Sequence, residues 1–466
     1  MQDPVGSDNF VLSDGCTLDD LIDLEMNEVS LRVMSDPELH RIEMERVFAK
    51  TWLLLGHDSE IPEAGDYVVR SMGEDPVIVA RGKNGEVHVS LNVCPHRGMR
   101  ICTAETGNAM VHRCIYHGWA FRPDGSFIGA PIEKEQMHGS KRSKDELGLP
   151  KARVHLYHGL IFATWNVDGP SFEEFLGTQK FYLDMLFKRT DAGQELLGPP
   201  QRFIIAANWK TACEQSASDG FHTLTLHRSL MVGDGPMGST PETIYDQAPG
   251  MYGVDISSTE GHSLRCMPMD KQFTSFAGMD FSQDDDALLQ ALPPPGLTPE
   301  LALQAKHHLS PEQLHLLATN PPQVGGMFPN VLIIYIYVAR PDGTMSPALA
   351  LHTYQPRGPG KFEFFNFILA EKDAPEELKR DMLENAIRQT GTSGMIEQDD
   401  ADTWPQIMRS SYGPKARKST LKYQAIAGHE IPDGWPGPGL IYEGFTKDDT
   451  QWNWWLNYHR LMSTPA

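Results

Sequence analysis

Cysteine is scarce in this chain: 466 residues carry six, Cys16, Cys94, Cys102, Cys114, Cys213 and Cys266. So sparse and uneven a set excludes the disulfide framework of a small secreted domain. Long hydrophobic runs are missing as well. The longest, Val331 to Ala339, falls far short of the roughly 20 residues that span a bilayer. The start, Met1-Gln2-Asp3-Pro4, is acidic and has no basic segment followed by an apolar core, so no signal peptide is read and a cytoplasmic location is expected. Basic residues are outnumbered, 40 Lys and Arg against 62 Asp and Glu, for a net charge of −22. That balance argues against nucleic acid or an anionic membrane surface as partner. No Gly-x-Gly-x-x-Gly follows a strand-like run, so no dinucleotide is expected on this chain. No internal repeat is found.

What is present is a globular composition, 40% hydrophobic and 22% charged, long enough for more than one domain. Residues 1 to 34 read as an acidic arm or short helix. Ser35-Asp36-Pro37-Glu38 then looks like a helix start, with a capping side chain and Pro in the first turn. From Thr51 to Val167 the texture is short β-type runs broken by Gly, Pro and Asp, such as Val77-Ile78-Val79-Ala80. Ser171 to Met185 reads as helix. Gln283 to Pro322, polar and Pro-rich, reads as long irregular structure or a lid. Val331 to Val338 and Phe362 to Ala370 read as strands, and Glu376 to Gln389 as an amphipathic helix.

Inside the β-rich part lies Cys94-Pro95-His96-Arg97-Gly98, followed after Arg113 by Cys114-Ile115-Tyr116-His117-Gly118-Trp119. Each half offers one thiolate and one imidazole from a tight loop. Zinc sites more often pair Cys with Cys and His with His, so the mixed halves suit a [2Fe–2S] cluster with two Cys on one iron and two His on the other. Cys102 fits no ligand slot and reads as a small buried residue. A second constellation runs Asn208-Trp209-Lys210, then Glu214-Gln215, then Asp219-Gly220-Phe221-His222 and His227. Two His with one carboxylate leave open positions on an octahedral Fe(II). Residues five apart on a helix point about 140° from each other, so a helix here must break between His222 and His227 for both to reach one ion.

The two loops resemble the Rieske centre of ring-hydroxylating oxygenase large subunits, and the stretch around His222 is similar to that family's mononuclear iron motif. The resemblance spans nearly the whole chain from Ser35 and names naphthalene, phenylpropionate and phthalate dioxygenases alike. It implies an α+β fold, with an all-β Rieske domain (residues 51–170) inserted before a larger catalytic domain (171–466) whose antiparallel sheet is surrounded by helices. Residues 1–50 would pack on the catalytic domain. It implies Cys94, His96, Cys114 and His117 as cluster ligands and His222, His227 and Asp400 as ligands of a mononuclear Fe(II), with Asp399 as the fallback carboxylate. Asp219 would join His222 to a cluster histidine of a neighbouring subunit. The substrate pocket carried over is Gln215, Ser216, Phe221, Thr223, Gln389, Thr390, Ile396 and Trp404. Phe221 stands where the family usually has Tyr, which removes a hydroxyl near the iron. Ser216 takes a place where a bulky aromatic is common, and so small a polar residue suggests a wider, less apolar pocket.

The activity so implied adds both atoms of O2 to an aromatic ring to give a cis-dihydrodiol, on a polycyclic arene or an aryl carboxylate such as a phthalate. Arg228, Arg265 and Arg409 are the candidate partners for such a carboxylate. Monohydroxylation or demethylation at the same iron, and a pure electron carrier, remain as alternatives. The implied partners are a small β subunit in an α3β3 hexamer, a ferredoxin, and a flavin reductase fed by NAD(P)H. Arg97, Arg100 and Arg113, beside the cluster loops, form a candidate docking patch for the ferredoxin.

Overall fold

A computed structural model describes residues 10–132, 141–227, 253–269, 280–339, 345–391, 393–426, 428, 432, 434–444 and 446–465. The chain divides into two compact units, Phe48–Phe172 on the one hand and Met1–Val47 with Glu173–Ala466 on the other.

Phe48–Phe172 is built from short antiparallel strands. Val87–Leu91, Asp75–Arg81, Asp66–Met72 and Thr106–Asn108 form one sheet in that order, and Arg153–Tyr157, Leu160–Thr164 and Leu53–His57 a second. A third, small sheet pairs Phe127–Gly129 with Ala120–Phe121 and the latter with His112–Arg113. Gly, Pro and Asp between the runs supply the turns, and no α-helix occurs among the described residues from Leu53 to Thr164. The core here holds Ile78, Ala80, Trp119, Phe121, Phe127 and Leu149 together with Cys94, Cys102 and Cys114.

The larger unit is organised on a nine-stranded antiparallel sheet. Its strands are β1 (Gln194–Leu196), β2 (Gln201–Ile205), β3 (Val254–Ser257), β4 (Ser263–Cys266), β5 (Pro322–Met327), β6 (Val331–Ala339), β7 (Met345–Pro356), β8 (Phe362–Glu371) and β9 (Leu440–Glu443). The spatial order is β1-β8-β7-β6-β5-β4-β3-β9, with β2 also on β8. Every described residue of β8 is buried, as expected for a central strand covered on both faces.

Six helices matter for the site: α1 (Pro37–Glu43), α2 (Trp209–Gln215), α3 (Phe221–Thr225), α4 (Glu376–Thr390), α5 (Glu397–Ser410) and α6 (Asp449–Met462). The helix start read at Ser35 is the N-terminus of α1, where the Asp36 carboxylate accepts from the Glu38 and Leu39 N–H groups and Pro37 opens the first turn. A buried knot ties α1, α2 and α6 together. Glu43 takes a hydrogen bond from Trp209 Nε1 at 2.9 Å and from Tyr458 at 2.6 Å, and pairs with Lys210 Nζ at 2.6 Å. Pairing of this kind is what permits a lysine in the core.

One expectation is overturned. Residues 283–322 are not long irregular structure: Asp285–Ala291, Pro299–Ala302 and Pro311–Thr319 are α-helices, and Leu303–His307 is a 3-10 turn. No helix among the described residues is long and apolar enough to cross a membrane.

Candidate metal centres and active site

Asn208 caps α2 by accepting from the Lys210 N–H. The chain then breaks at Ser218, whose φ of 67° lies in the left-handed region, and restarts at Gly220. The Asp219 carboxylate caps this second segment, accepting from the N–H groups of Phe221 at 3.0 Å and His222 at 3.1 Å. α3 is five residues long and ends at Thr225, so His222 lies on the helix and His227 beyond it. The helix break that two histidines five apart require is therefore present.

Asp400 comes from the first turn of α5. Ligand atoms of His222, His227 and Asp400 all lie within 4.8 Å of one another, and His227 Nε2 is 3.4 Å from Asp400 Oδ2. Each imidazole has a second carboxylate on its Nδ1 side: Asp219 at 3.4 Å from His222 and Asp399 at 3.4 Å from His227. That leaves the Nε2 atoms for the centre, the orientation a carboxylate behind a metal-binding imidazole enforces. Asp399, the fallback ligand, thus stands behind His227 while Asp400 is in the triad. Two imidazoles and one carboxylate, converging and mostly buried, fit a mononuclear Fe(II) with open positions.

Gln215 stitches this group together. Its Nε2 donates to Asp400 Oδ1 at 2.8 Å and lies 3.3 Å from His222 Nε2, while its Oε1 accepts from Trp404 Nε1 at 2.8 Å. An indole can only donate, so Trp404 fixes which end of the amide faces Asp400. Burial is the largest influence on the His222 pKa and lowers it, but the charge and hydrogen bond of Asp219 and the charge of Asp400 together outweigh it, and the net shift is upward. Asp219 itself is held below the usual carboxylate range: burial opposes this and the His222 ring overcomes it.

The other residues carried over as pocket positions differ in burial and in their partners. Ser216 is buried, with Oγ donating to the Ala212 carbonyl at 2.7 Å and 3.3 Å from the Tyr354 hydroxyl. Its hydroxyl is therefore already engaged. Thr390 donates to the Ala386 carbonyl and accepts from Asn366. Gln389 is buried with Oε1 unpartnered. Ile396 and Thr223 are half-buried, and Phe221 is exposed. Of the candidate cations, Arg265 on β4 faces its cross-strand neighbour Asp255 and is buried. Arg409 is exposed near the far end of α5, about 13 Å along the axis from Asp400. Arg228 lies outside the described residues.

The two Cys/His loops in the smaller unit are near copies of each other. In the first, Cys94 N–H donates to the Met99 carbonyl at 2.8 Å and Gly98 N–H to that of Cys94 at 2.9 Å. In the second, Cys114 N–H donates to Trp119 at 2.8 Å and Gly118 N–H to Cys114 at 2.9 Å. Gly98 and Gly118 both have φ of 75°, a conformation glycine adopts without strain. The second loop is the tip of the hairpin between His112–Arg113 and Ala120–Phe121. The His96 and His117 rings are 4.5 Å apart, and His96 stacks on Trp119 at 5.0 Å. Burial, with the Cys114 thiol beside it, pushes the Cys94 thiol up to about 11, so cluster binding must displace a proton there. Burial and the neighbouring His117 and Arg97 lower His96, favouring the neutral ring a metal needs. Two thiols and two adjacent imidazoles on twin loops fit a [2Fe–2S] cluster.

Cys102, expected to be a small buried residue, is buried, and its Sγ is 3.3 Å from Nδ1 of buried His112. Reading the residues alone left other groups unassigned. His352 on β7 and Glu397 on α5 are buried 3.8 Å apart. Glu214, half-buried and pushed up to about 8 by desolvation and by the Asp219 charge, accepts from Tyr423 at 3.1 Å. Only Glu397 left a signal, three residues before Asp400 on the same helix face.

A β-rich unit with a Rieske-type donor set, and a larger α+β unit with a two-His, one-carboxylate site, define a Rieske non-haem iron oxygenase. Residues 51–148 match the Rieske [2Fe-2S] domain, and residues 172–423 the ring hydroxylating alpha subunit (catalytic domain). The chain is 33% identical over 448 residues to the biphenyl 2,3-dioxygenase alpha subunit of Rhodococcus jostii, covering 96% of this chain and 91% of that one. It is 31% identical over 452 residues to a benzene 1,2-dioxygenase alpha subunit of Pseudomonas putida, covering 96% and 94%. The crystal structure of naphthalene 1,2-dioxygenase from Rhodococcus sp. bound to indole superposes with a TM-score of 0.82 at 35% identity, over 93% of this chain and 94% of that one. This chain belongs to the alpha-subunit family of the aromatic ring-hydroxylating dioxygenases. Its cofactors are a Rieske [2Fe–2S] cluster and a mononuclear iron, with O2 as co-substrate.

Proposed function

We propose that the chain is the terminal oxygenase subunit of a multicomponent system that converts an uncharged arene, of fused-ring or biaryl size, to its cis-dihydrodiol. The observation that carries this is the convergence of His222, His227 and Asp400 within 4.8 Å. When bound, the cluster supplies electrons one at a time and the mononuclear iron supplies the site where O2 and the ring meet. Cys94, His96, Cys114 and His117 would hold the cluster. Gln215 keeps Asp400 in place, Asp399 and Asp219 orient the two imidazoles, and Asp219 also connects His222 to a cluster histidine of a neighbouring subunit.

An uncharged substrate is favoured over an aryl carboxylate. Among the described residues, Arg265 lies cross-strand from Asp255, whose charge acts on it, and Arg409 stands near the far end of α5, while Gln215, Ser216, Thr390 and Trp404 are neutral. A ferredoxin, drawing on an NAD(P)H-fed flavin reductase, supplies the electrons. It docks near Arg97, Arg100 and Arg113, all exposed. The assembly is an α3β3 hexamer with a small β subunit, in the cytoplasm.

The test combines metal analysis with product analysis. Anaerobically purified protein should hold about three iron to two acid-labile sulfide per chain, and His222→Ala should lose one iron and no sulfide. Turnover of naphthalene or biphenyl under ¹⁸O2 should give a diol with both labels. Two iron to two sulfide, with no further uptake on reconstitution, would leave an electron carrier. A singly labelled phenol would return the monooxygenase reading.

A further inference from the structure

Hydrogen bonds inside each cluster loop set that loop's own shape. They do not set how far apart the two loops stand, and donors on two loops close on one cluster only at the right separation. A further set of contacts in the same unit joins the loops at their bases. Asn92 stands two residues before Cys94, His112 two residues before Cys114, and Cys102 lies between them in the chain. All three are buried.

Asn92 closes the first loop. Its own N–H donates to the Pro76 carbonyl at 2.7 Å, which anchors it to the strand Asp75–Arg81. Its side chain spans to the chain leaving the loop: Oδ1 accepts from the N–H groups of Ile101 at 3.0 Å and Cys102 at 2.9 Å, and Nδ2 donates to the Cys102 carbonyl at 2.8 Å. Cys102 is therefore held through its backbone, which leaves its side chain to meet another partner. That partner is His112, whose Nδ1 is 3.3 Å from Cys102 Sγ. Burial pushes the Cys102 thiol up to about 12, so the sulfur keeps its proton and donates it to the ring nitrogen. His112 opens the hairpin that carries the second loop, paired with Phe121 across it, and Tyr67 packs edge-on to its ring at 5.2 Å. Its Nε2 has no hydrogen-bond partner among the described residues. A phenylalanine would fill this space without leaving a buried nitrogen unmatched. What the histidine adds is the acceptor at Nδ1.

We infer that Cys102 and His112 are positioning residues for the cluster: their side chains staple the base of the first ligand loop to that of the second and fix the separation at which Cys94 and His96 face Cys114 and His117. A thiol is a weak donor, but in a core that excludes water the loss of either partner leaves the other unmatched. Both residues act through the loops and not on the iron.

Because the staple rests on the four ligands assigned above, those ligands are tested beside it. The measurement is cluster release: full-length, anaerobic holoenzyme is mixed with excess EDTA, and the visible circular dichroism of the oxidised cluster is followed. Cys102→Ala and His112→Phe should each release the cluster about tenfold faster than the native protein, the low end of what supporting residues give a metal site. The two partners share one contact, so the double variant should be no faster than either single one. Cys102→Ser, whose hydroxyl can donate to the same nitrogen, should return most of the way to the native rate. On the reduced cluster, the nitrogen couplings of the two histidine ligands, read by pulsed EPR, should shift in Cys102→Ala and return in Cys102→Ser. A general loss of stability would not produce that pattern. Unchanged release in both single variants, effects that multiply in the double variant, or Cys102→Ser as fast as Cys102→Ala overturns the staple. Cys114→Ala protein that kept the native iron, sulfide and spectrum would sink the ligand assignment, and the staple with it.

Discussion

Asp219 serves His222 twice, through the backbone and through the ring. One carboxylate oxygen caps α3 on the His222 N–H, and the other lies behind Nδ1. The raised His222 pKa, above its ordinary 6.5, means the metal-free ring keeps its proton to higher pH than an isolated imidazole. Iron must displace that proton, so uptake strengthens as pH rises through the raised value and weakens below it. Asp219→Asn removes the main upward influence, and the pH midpoint of Fe(II) uptake should move down. Affinity on the alkaline plateau should fall by about tenfold, since the ring also loses the carboxylate that strengthens it as a ligand. Anaerobic Fe(II) titrations between about pH 6 and 9 check both parts, and an unmoved midpoint would contradict the first. At this scale the donors were legible because their chemistry is local: Cys and His at tight spacing, two His with an Asp ahead. Cys102, read as a small buried residue, is one. Asp399 was legible only as a fallback ligand, because its place behind His227 depends on how α5 packs across from that histidine.

Among the elements, α2 depends most on distant parts of the chain. It carries Gln215 to the iron site, and its first turn is held by Glu43 from α1 and, through the same carboxylate, by Tyr458 from α6. Glu43→Gln would leave Lys210 without its counter-charge in a place that excludes water. Removing one member of a buried pair costs about 3 kcal/mol or more. The urea midpoint should drop accordingly, while Glu43→Met with Lys210→Met should be less destabilised than Glu43→Gln alone. Equal losses in both would mean that packing volume, not charge, is at stake. The sequence announced α1 and two long strands clearly, through Asp36-Pro37 and the runs at Val331 and Phe362, but not the longest, β7 (Met345–Pro356). It misled between residues 283 and 322, where prolines suggested a structureless lid. The prolines at 299 and 311 occupy first-turn positions, with Thr298 and Ser310 as caps and Gln313 completing a capping box. Proline is favoured there because the first-turn N–H has no partner to lose. Read by position and not by count, the same residues are helix starts.

For the molecule as a whole, the question is whether the cluster-bearing unit depends on the rest. Phe48–Phe172 interrupts the other unit, whose chain leaves at Val47 and resumes at Glu173. An insertion needs its two ends close together, and they are: Leu53 pairs with Ala163, and Trp52 packs edge-on to Phe172 at 5.6 Å. Both ligand loops, their backbone hydrogen bonds and the core around Cys94 and Cys114 belong to this unit. At about 125 residues it is well above the size at which single cores become marginal. Residues 48–172 expressed alone should therefore fold and take up a cluster, with two iron, two sulfide and the visible circular dichroism of a Rieske centre. The remaining chain, closed by a short Gly-Ser linker between Val47 and Glu173, should bind a single Fe(II) through His222, His227 and Asp400. If the excised unit bound the cluster only when mixed with the remainder, the twin loops would need support from outside their own core. Independent loading would mean instead that this chain carries two metal sites built separately, and that what couples them is electron transfer and not folding.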